Sequence, residues 1–206
     1  MGDEYAEYAK IYDQTHDDKK TQDMYFEWIM ELKKAIQEQN VEVKRLLDLG
    51  CGTGITTIPW LKSGYQVYGV DISKAMLKVA KKKSSKVKWL NQDITKLNIK
   101  ENMDIVTCHF DVLNHVLKKA NLKKVFKKVY NILNDRGLFM FDIMPSAAFK
   151  ELEKRKRKHT ITERPYSRNE IKDLLLKSGF KILKIKKQKV SEWDGKPRRI
   201  IFLVQK

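Results

Sequence analysis

Residues 46–54 read LLDLGCGTG. An apolar run broken by one acid, Asp48, leads into three glycines, Gly50, Gly52 and Gly54, in a GxGxG pattern. With Lys44 and Arg45 before it, this stretch predicts a buried β-strand ending in a loop where a ligand meets bare backbone. A dinucleotide loop would follow GxGxxG, with pyrophosphate over the next helix N-terminus. The position of that last glycine is Ile55 here. A carboxylate at Asp48 would also repel a diphosphate, whereas it favours an ammonium or sulfonium group nearby. The loop is therefore read as built for a ligand carrying positive charge.

Working outward, YQVYGVDIS predicts a second strand closing on Asp71, 17 residues after Gly54. An acid there is suited to accept both hydroxyls of a ribose, with Ile72 and Met76 as apolar cover for an adenine. VKWLNQD predicts a third strand ending near Asp93, which with Ile94 would meet the adenine amino group. Acids at three successive strand ends line one edge of a sheet, the edge where open α/β folds bind ligands. A nucleoside with a cationic tail satisfies all three.

The rest of the chain keeps the alternation. Residues 21–39 place Met24, Trp28, Ile29, Leu32 and Ile36 at helical spacing, with Asn40 as a stop. ITTIPWLKSG predicts a helix stopped by Gly64, and SKAMLKVAKKK a helix capped by Ser73. MDIVTCHF predicts a fourth strand, NLKKVFKKVYNIL a helix, NDRG a turn and LFMFDIM a fifth strand. SRNE, from Ser167 to Glu170, is a capping-box pattern opening the helix IKDLLLKSG, which ends at Gly179. FKILKIKKQKV and RRIIFLVQK predict a terminal hairpin across the Asp-Gly of SEWDGKP. Strands apolar on both faces and alternating with helices specify an α/β, doubly wound, Rossmann-like sheet. It is expected to have seven strands, mostly parallel, with the last antiparallel. Residues 1–40 are expected to form a helical arm over the ligand site and residues 41–206 the domain proper.

Composition limits the function classes. Of 206 residues 42% are hydrophobic, enough for a real core. No run reaches the roughly 18 apolar residues of a membrane span, and MGDEYAEYAK has no apolar segment of a signal peptide. A cytoplasmic protein is expected. Cys51 and Cys108 have no CxxC or histidine partner at ligand spacing, so reduced thiols and no metal site are expected. Net charge is +17, yet residues 1–40 carry −5 and residues 145–206 carry +12. A basic body could draw in RNA or another polyanion. Lysine outnumbers arginine 35 to 8, however, and bidentate phosphate recognition leans on arginine.

LLDLGCGTG, VYGVDIS, NQDI, MDIVTCHFDVLNHV and LNDRGLFMFDIM resemble, in order, the motifs of class I S-adenosylmethionine-dependent methyltransferases, over about residues 45–144. The resemblance implies methyl transfer from S-adenosylmethionine, leaving S-adenosylhomocysteine. It implies that Asp48 and the loop of Gly50, Cys51, Gly52 and Gly54 hold the methionine end. Asp71 would bind the ribose, and Ile72, Asp93 and Ile94 the adenine. His109 would offer its backbone to the methionine ammonium.

YAEYAKIYD, residues 5–13, resembles the entry segment of small-molecule methyltransferases related to glycine and amino-sugar N-methyltransferases, with Tyr12 near the transferred methyl. The alternative is a tyrosine pinning the arm to the core. HFDVLNHV resembles the acceptor-side loop of the same group, with His115 as the candidate base. The alternative is a histidine serving only the start of a helix. In that group an insertion after the fifth strand covers the substrate. Here Met144 to Ser167 is only 24 residues, including the basic run KELEKRKRKH. The expected acceptor is a small molecule methylated on N or O. The alternatives are RNA or protein reached through the basic C-terminal third, or a cofactor-binding subunit without catalysis. No NPPY-type motif follows the fourth strand, where CHFD stands instead.

Overall fold

The computed structural model describes residues 5–16, 18–146, 148–149, 162–189 and 197–206. Seven strands form one sheet: β1 (Arg45–Leu49), β2 (Gln66–Asp71), β3 (Lys88–Asn91), β4 (Met103–Cys108), β5 (Leu133–Ile143), β6 (Lys181–Lys189) and β7 (Pro197–Gln205). Their order is β3-β2-β1-β4-β5-β7-β6. The neighbours from β3 through β5 pair in parallel. β7 runs antiparallel to both β5 and β6, as the terminal hairpin pattern predicts. The order reverses direction between β1 and β4, so the loops leaving these two strands open a crevice at the carboxyl edge. Those loops are the glycine loop and residues 109–116.

Apolar residues on both sides of each strand fill two cores. On β5, Phe139 and Phe141 pack with Leu122, Phe126 and Val129 of α4 (Lys119–Ile132) and with Leu174 and Leu175 of α5 (Arg168–Ser178). The alternate residues Leu138 and Met140 pack with Trp28, Leu32 and Ala35 of α2 (Lys19–Glu38) on the other face. Trp28 is a core residue, 1% exposed, and its indole donates to Gln188 Oε1 at 2.8 Å. A short helix α1 (Tyr12–His16) precedes α2, and α3 (Lys74–Lys83) follows β2. No described helix is long and apolar enough to cross a membrane.

The predicted caps form. Ser73 accepts from Met76 N, Ser167 and Glu170 make a capping box, and Gly179 ends α5 at φ +102°. Two expectations need correcting. Residues 55–64 do not form an α-helix. Only Ile58–Ser63 coils, as a 3-10 segment, closed by left-handed Gly64. Pro59 at its start lacks the N–H that a longer helix would use. NDRG is not a turn between α4 and β5 either. It lies within β5, where Arg136 takes φ +65° and the pairing with β4 shifts register between Met103 and Ile105. Asp104 Oδ1 accepts from Asn134 Nδ2 at 2.7 Å, a tertiary bond that holds this bulge in the sheet. The Asp-Gly of the hairpin turn and the KELEKRKRKH run lie outside the described residues.

Candidate functional site

All three glycines of the loop have positive φ, +67°, +51° and +84°. A Cβ on Gly50 would sit 2.4 Å from Val112, and one on Gly54 would sit 2.7 Å from Trp89. A Cβ on Gly52 would meet nothing within 4 Å. The loop is thus packed at its two ends and open in the middle.

Asp48 lies under this loop and is 1% exposed. Its carboxylate accepts from Thr56 (3.0 Å), Thr57 (2.5 Å) and Thr107 (2.8 Å). Burial raises its pKa, while His109 and the three hydroxyls work the other way. Asp71 Oδ2 accepts from Gly52 N and Oδ1 from Ser73 N, both at 2.8 Å. One carboxylate therefore ties the open middle of the loop to the start of α3. Beside it Ile72 is 64% exposed, held by Asn91, whose amide donates to the carbonyls of Asp71 and Ile72. Met76 is buried, and Ile94 packs against the core. Asp93 Oδ1 accepts from Thr95 N and Thr95 Oγ1, both 2.8 Å, as a helix cap. Cys51 and Cys108 are buried free thiols, pushed well above the ordinary range by burial and then by nearby acids.

The N-terminal residues lie against the same edge. Asp13 accepts from Thr53 Oγ1 at 2.6 Å and pairs with Lys83 at 2.5 Å, joining the segment to both the glycine loop and α3. Tyr12 stacks on His16 at 4.1 Å, and His16 meets Phe110 edge-on. Burial, and then the charge of Asp111, push the Tyr12 phenol far up. The Tyr12 phenol therefore keeps its proton.

Past β4, Phe110 and Asp111 both adopt left-handed backbone, φ +59° and +54°. Two such residues in a row store strain, which the surroundings must offset. Arg199 of β7 supplies the restraint. Its guanidinium binds Asp111 Oδ1 and, at 2.5 Å, Asp142 Oδ2, which also accepts from Asp111 N at 3.1 Å. His109 stacks on Trp28 at 4.6 Å, and burial lowers its pKa to about 4, leaving it neutral.

Asn114, fully buried, binds both ends of the segment that follows β5. Its amide group donates to Met144 O and Arg164 O and accepts from Met144 N, while its own carbonyl accepts from Arg164 N at 2.7 Å. This brings Glu163 to His115, with Nε2 and Oε1 3.6 Å apart. One ligand-type atom each from Asp111, His115 and Glu163 lie within 4.8 Å of one another. The expectation of no metal site rested on the cysteines alone, and a mixed nitrogen–oxygen cluster was outside its reach.

Burial, then the Asp111 charge, raise Glu163 to about 7, with Arg199 opposing. An exposed glutamate releases its proton near 4.3. Between those values the folded protein binds more protons than the unfolded chain, so this group makes stability fall as pH rises. Glu163→Gln, which cannot ionise, is expected to gain on the wild type from pH 5 to pH 8. The measurement is a melting-temperature difference that widens across that range.

The structure brings together Asp48, the glycine loop, Asp71, Ile72 and Met76 on one side of the crevice, and Tyr12 and His115 on the other. Sequence reasoning missed Asp142, Glu163 and Arg199. A signal existed for two of them: Asp142 and Arg199 are charges bordering the apolar runs LFMF of β5 and IIFLV of β7. Glu163 carried none.

A methyltransferase-domain family model matches residues 46–137. A candidate methyltransferase of Geobacillus sp. (strain WCH70) is 31% identical over 144 residues, 68% of this chain and 57% of that protein. The chain thus spans under three fifths of that relative's length. An uncharacterized protein of Methanocaldococcus jannaschii is 30% identical over 205 residues, covering 87% of this chain and 75% of its own. Among solved structures, an S-adenosylmethionine-dependent methyltransferase from Clostridium acetobutylicum superposes with a TM-score of 0.77. It is 25% identical, with 98% of both chains covered. The chain belongs to the class I S-adenosylmethionine-dependent methyltransferases.

The residues of the site fit S-adenosylmethionine. The open space over Gly52, where a Cβ would meet no protein atom within 4 Å, is a cradle in which a ligand can lie against bare backbone and into which a methyl side chain would project. Ile72 presents an apolar surface beside the carboxylate of Asp71, which suits an adenosine.

Proposed function

We propose that the chain transfers the methyl group of S-adenosylmethionine to the nitrogen or oxygen of a small acceptor by in-line displacement. The supporting observation is the open, carboxylate-braced loop at the switch point of the sheet. Gly52 lets the methionine end lie against backbone, with Cys51, Gly50 and Gly54 shaping the loop. Asp48 supplies negative potential from beneath, and Asp71 accepts from the ribose hydroxyls. Ile72, Met76 and Ile94 cover the adenine, and Asp93 faces its amino group. His109 contributes its backbone to the ammonium. When bound, the cofactor supplies a sulfonium methyl group. The protein's part is alignment, exclusion of water and removal of the acceptor's proton.

Residues 5–16 act as the cover, anchored through Asp13, and Tyr12 donates its hydroxyl hydrogen near the reacting centre. His115 takes the acceptor's proton. Calorimetry with S-adenosylmethionine and S-adenosylhomocysteine tests this reading, and binding to neither would sink it. A screen of radiolabelled-methyl transfer to small metabolites, bulk RNA and lysate protein identifies the acceptor. The +12 charge of residues 145–206 favours the polyanion reading. That reading requires RNA binding that weakens steeply with salt.

Two glycine variants separate packing from binding. Gly50→Ala is expected to destabilise the fold by roughly 2–4 kcal/mol through collision with Val112 and left-handed strain. Gly52→Ala is expected to cost only about 1 kcal/mol of strain, yet to weaken S-adenosylmethionine binding at least tenfold. Urea denaturation and calorimetry read the two effects. A Gly52→Ala protein that binds as tightly as wild type would contradict the cradle.

A further inference from the structure

We infer that Glu163 is a positioning residue for His115, and that the pair serves an acceptor whose attacking nitrogen or oxygen carries a proton, an amine or a hydroxyl rather than a carboxylate. The inference rests on the proposed methyl transfer and deepens it.

The geometry begins with Asn114. Its four bonds to Met144 and Arg164 fix both ends of the intervening segment at the acceptor side of the crevice. Glu163 is the residue next to that anchor, so its carboxylate is delivered to His115 by backbone bonds. Oε1 faces His115 Nε2 at 3.6 Å, beyond a hydrogen bond but within ion-pair range. Such separations tighten when a reacting proton arrives. Glu163 Oε2 is buried with no hydrogen-bond partner among the described residues. The Glu163 carboxyl thus faces the imidazole rather than water.

The charge around the pair defines the acceptor. Asp111 after β4, Asp142 of β5 and Glu163 are three carboxylates against one guanidinium, Arg199 of β7. Tyr12 and Tyr5 approach from the N-terminal segment, and Arg164 points away, to Leu117 O and Glu170. An anionic acceptor is repelled by this wall. With a protic acceptor, the lone pair of its attacking atom forms the bond to the methyl carbon as the carbon–sulfur bond breaks, the electrons passing to sulfur. The proton goes to His115, and the imidazolium so formed is balanced by Glu163. The raised pKa of Glu163, near 7, suits a proton shared by this pair at neutral pH.

The test needs no identified acceptor. Proton–nitrogen spectra of the imidazoles, in protein saturated with S-adenosylhomocysteine, report the tautomer and titration of His115. In Glu163→Gln the His115 midpoint is expected to fall by about one pH unit, with loss of the Nε2–H tautomer. Glu163→Asp, retaining the charge, should recover most of both. An unchanged midpoint and tautomer in a folded Glu163→Gln protein overturns the inference. If Glu163→Gln does not fold, His115→Gln carries the test at the Glu163 carboxyl carbon. Its midpoint should then rise, and an unchanged one overturns the inference. Equimolar zinc that displaces the His115 signals in wild type, and not in Glu163→Gln, also overturns it, in favour of a metal site. Failure to bind S-adenosylhomocysteine at all would instead sink the methyltransferase reading on which the inference stands.

Discussion

Asp71→Ala should bind S-adenosylmethionine roughly 10²- to 10⁴-fold more weakly than the wild type. Two charge-assisted hydrogen bonds to ribose hydroxyls are each worth about 1.5–3 kcal/mol, and each 1.4 kcal/mol is a factor of ten. The same carboxylate accepts from Gly52 N and Ser73 N. Its loss therefore also frees the middle of the glycine loop, which compounds the effect. Asp71→Asn separates the two contributions, because an amide oxygen can keep one backbone bond while the charge is lost. It should fall between wild type and alanine. Titration calorimetry reads all three proteins. An alanine variant of undiminished affinity would mean that the ribose is held elsewhere.

The second large effect is structural. Arg199→Met leaves Asp111 and Asp142 buried without their guanidinium and releases the two left-handed residues it restrains. Breaking a buried ion pair by removing one partner costs about 3–5 kcal/mol, a loss that urea denaturation would report directly. The effect carries a pH signature. Burial pushes the Asp142 carboxyl up and Arg199 opposes that push, so without Arg199 its folded-state pKa stands further above that of the unfolded chain. The folded variant then binds more protons than the unfolded one, so its stability rises as pH falls from 7 toward about 4. The gap from wild type should narrow over that window. Adding Asp142→Asn to Arg199→Met should recover part of the loss at neutral pH. A variant as stable as wild type at pH 7 would show that the strained turn is held by something other than this clamp.

The two variants probe the two loops of the crevice, and these loops were not equally legible. The strand before the glycine loop, its glycines and Asp71 announce themselves locally. Apolar runs, a glycine pattern and an acid at a strand end are all properties of neighbouring residues. Even there the sequence left a detail open. Asp48 reads as an acid facing the ligand, yet three threonine hydroxyls surround it. Asp93 reads as an adenine contact and also serves as a helix cap. The predicted helix over 55–64 failed because the periodicity of ITTIPWLKSG outweighed the warning of Pro59, which removes a backbone donor inside the segment. NDRG reads as a turn by composition, and a single side-chain bond from Asn134 to Asp104 turns it into a bulge within a strand.

By itself the sequence determined the doubly wound sheet, its antiparallel last strand and the glycine loop with its strand-end acids along one edge, because strand and helix periods and strand-end acids are written in residues close along the chain. Only the tertiary structure decided the charge cluster opposite the glycine loop. Arg199 lies 88 residues from Asp111 and 57 from Asp142, and Glu163 comes to His115 where Asn114 binds both Met144 and Arg164. No local pattern encodes such distant pairings. They exist because the sheet brings the ends of β4 and β5 and the start of β7 to one edge, and because buried charges there require partners.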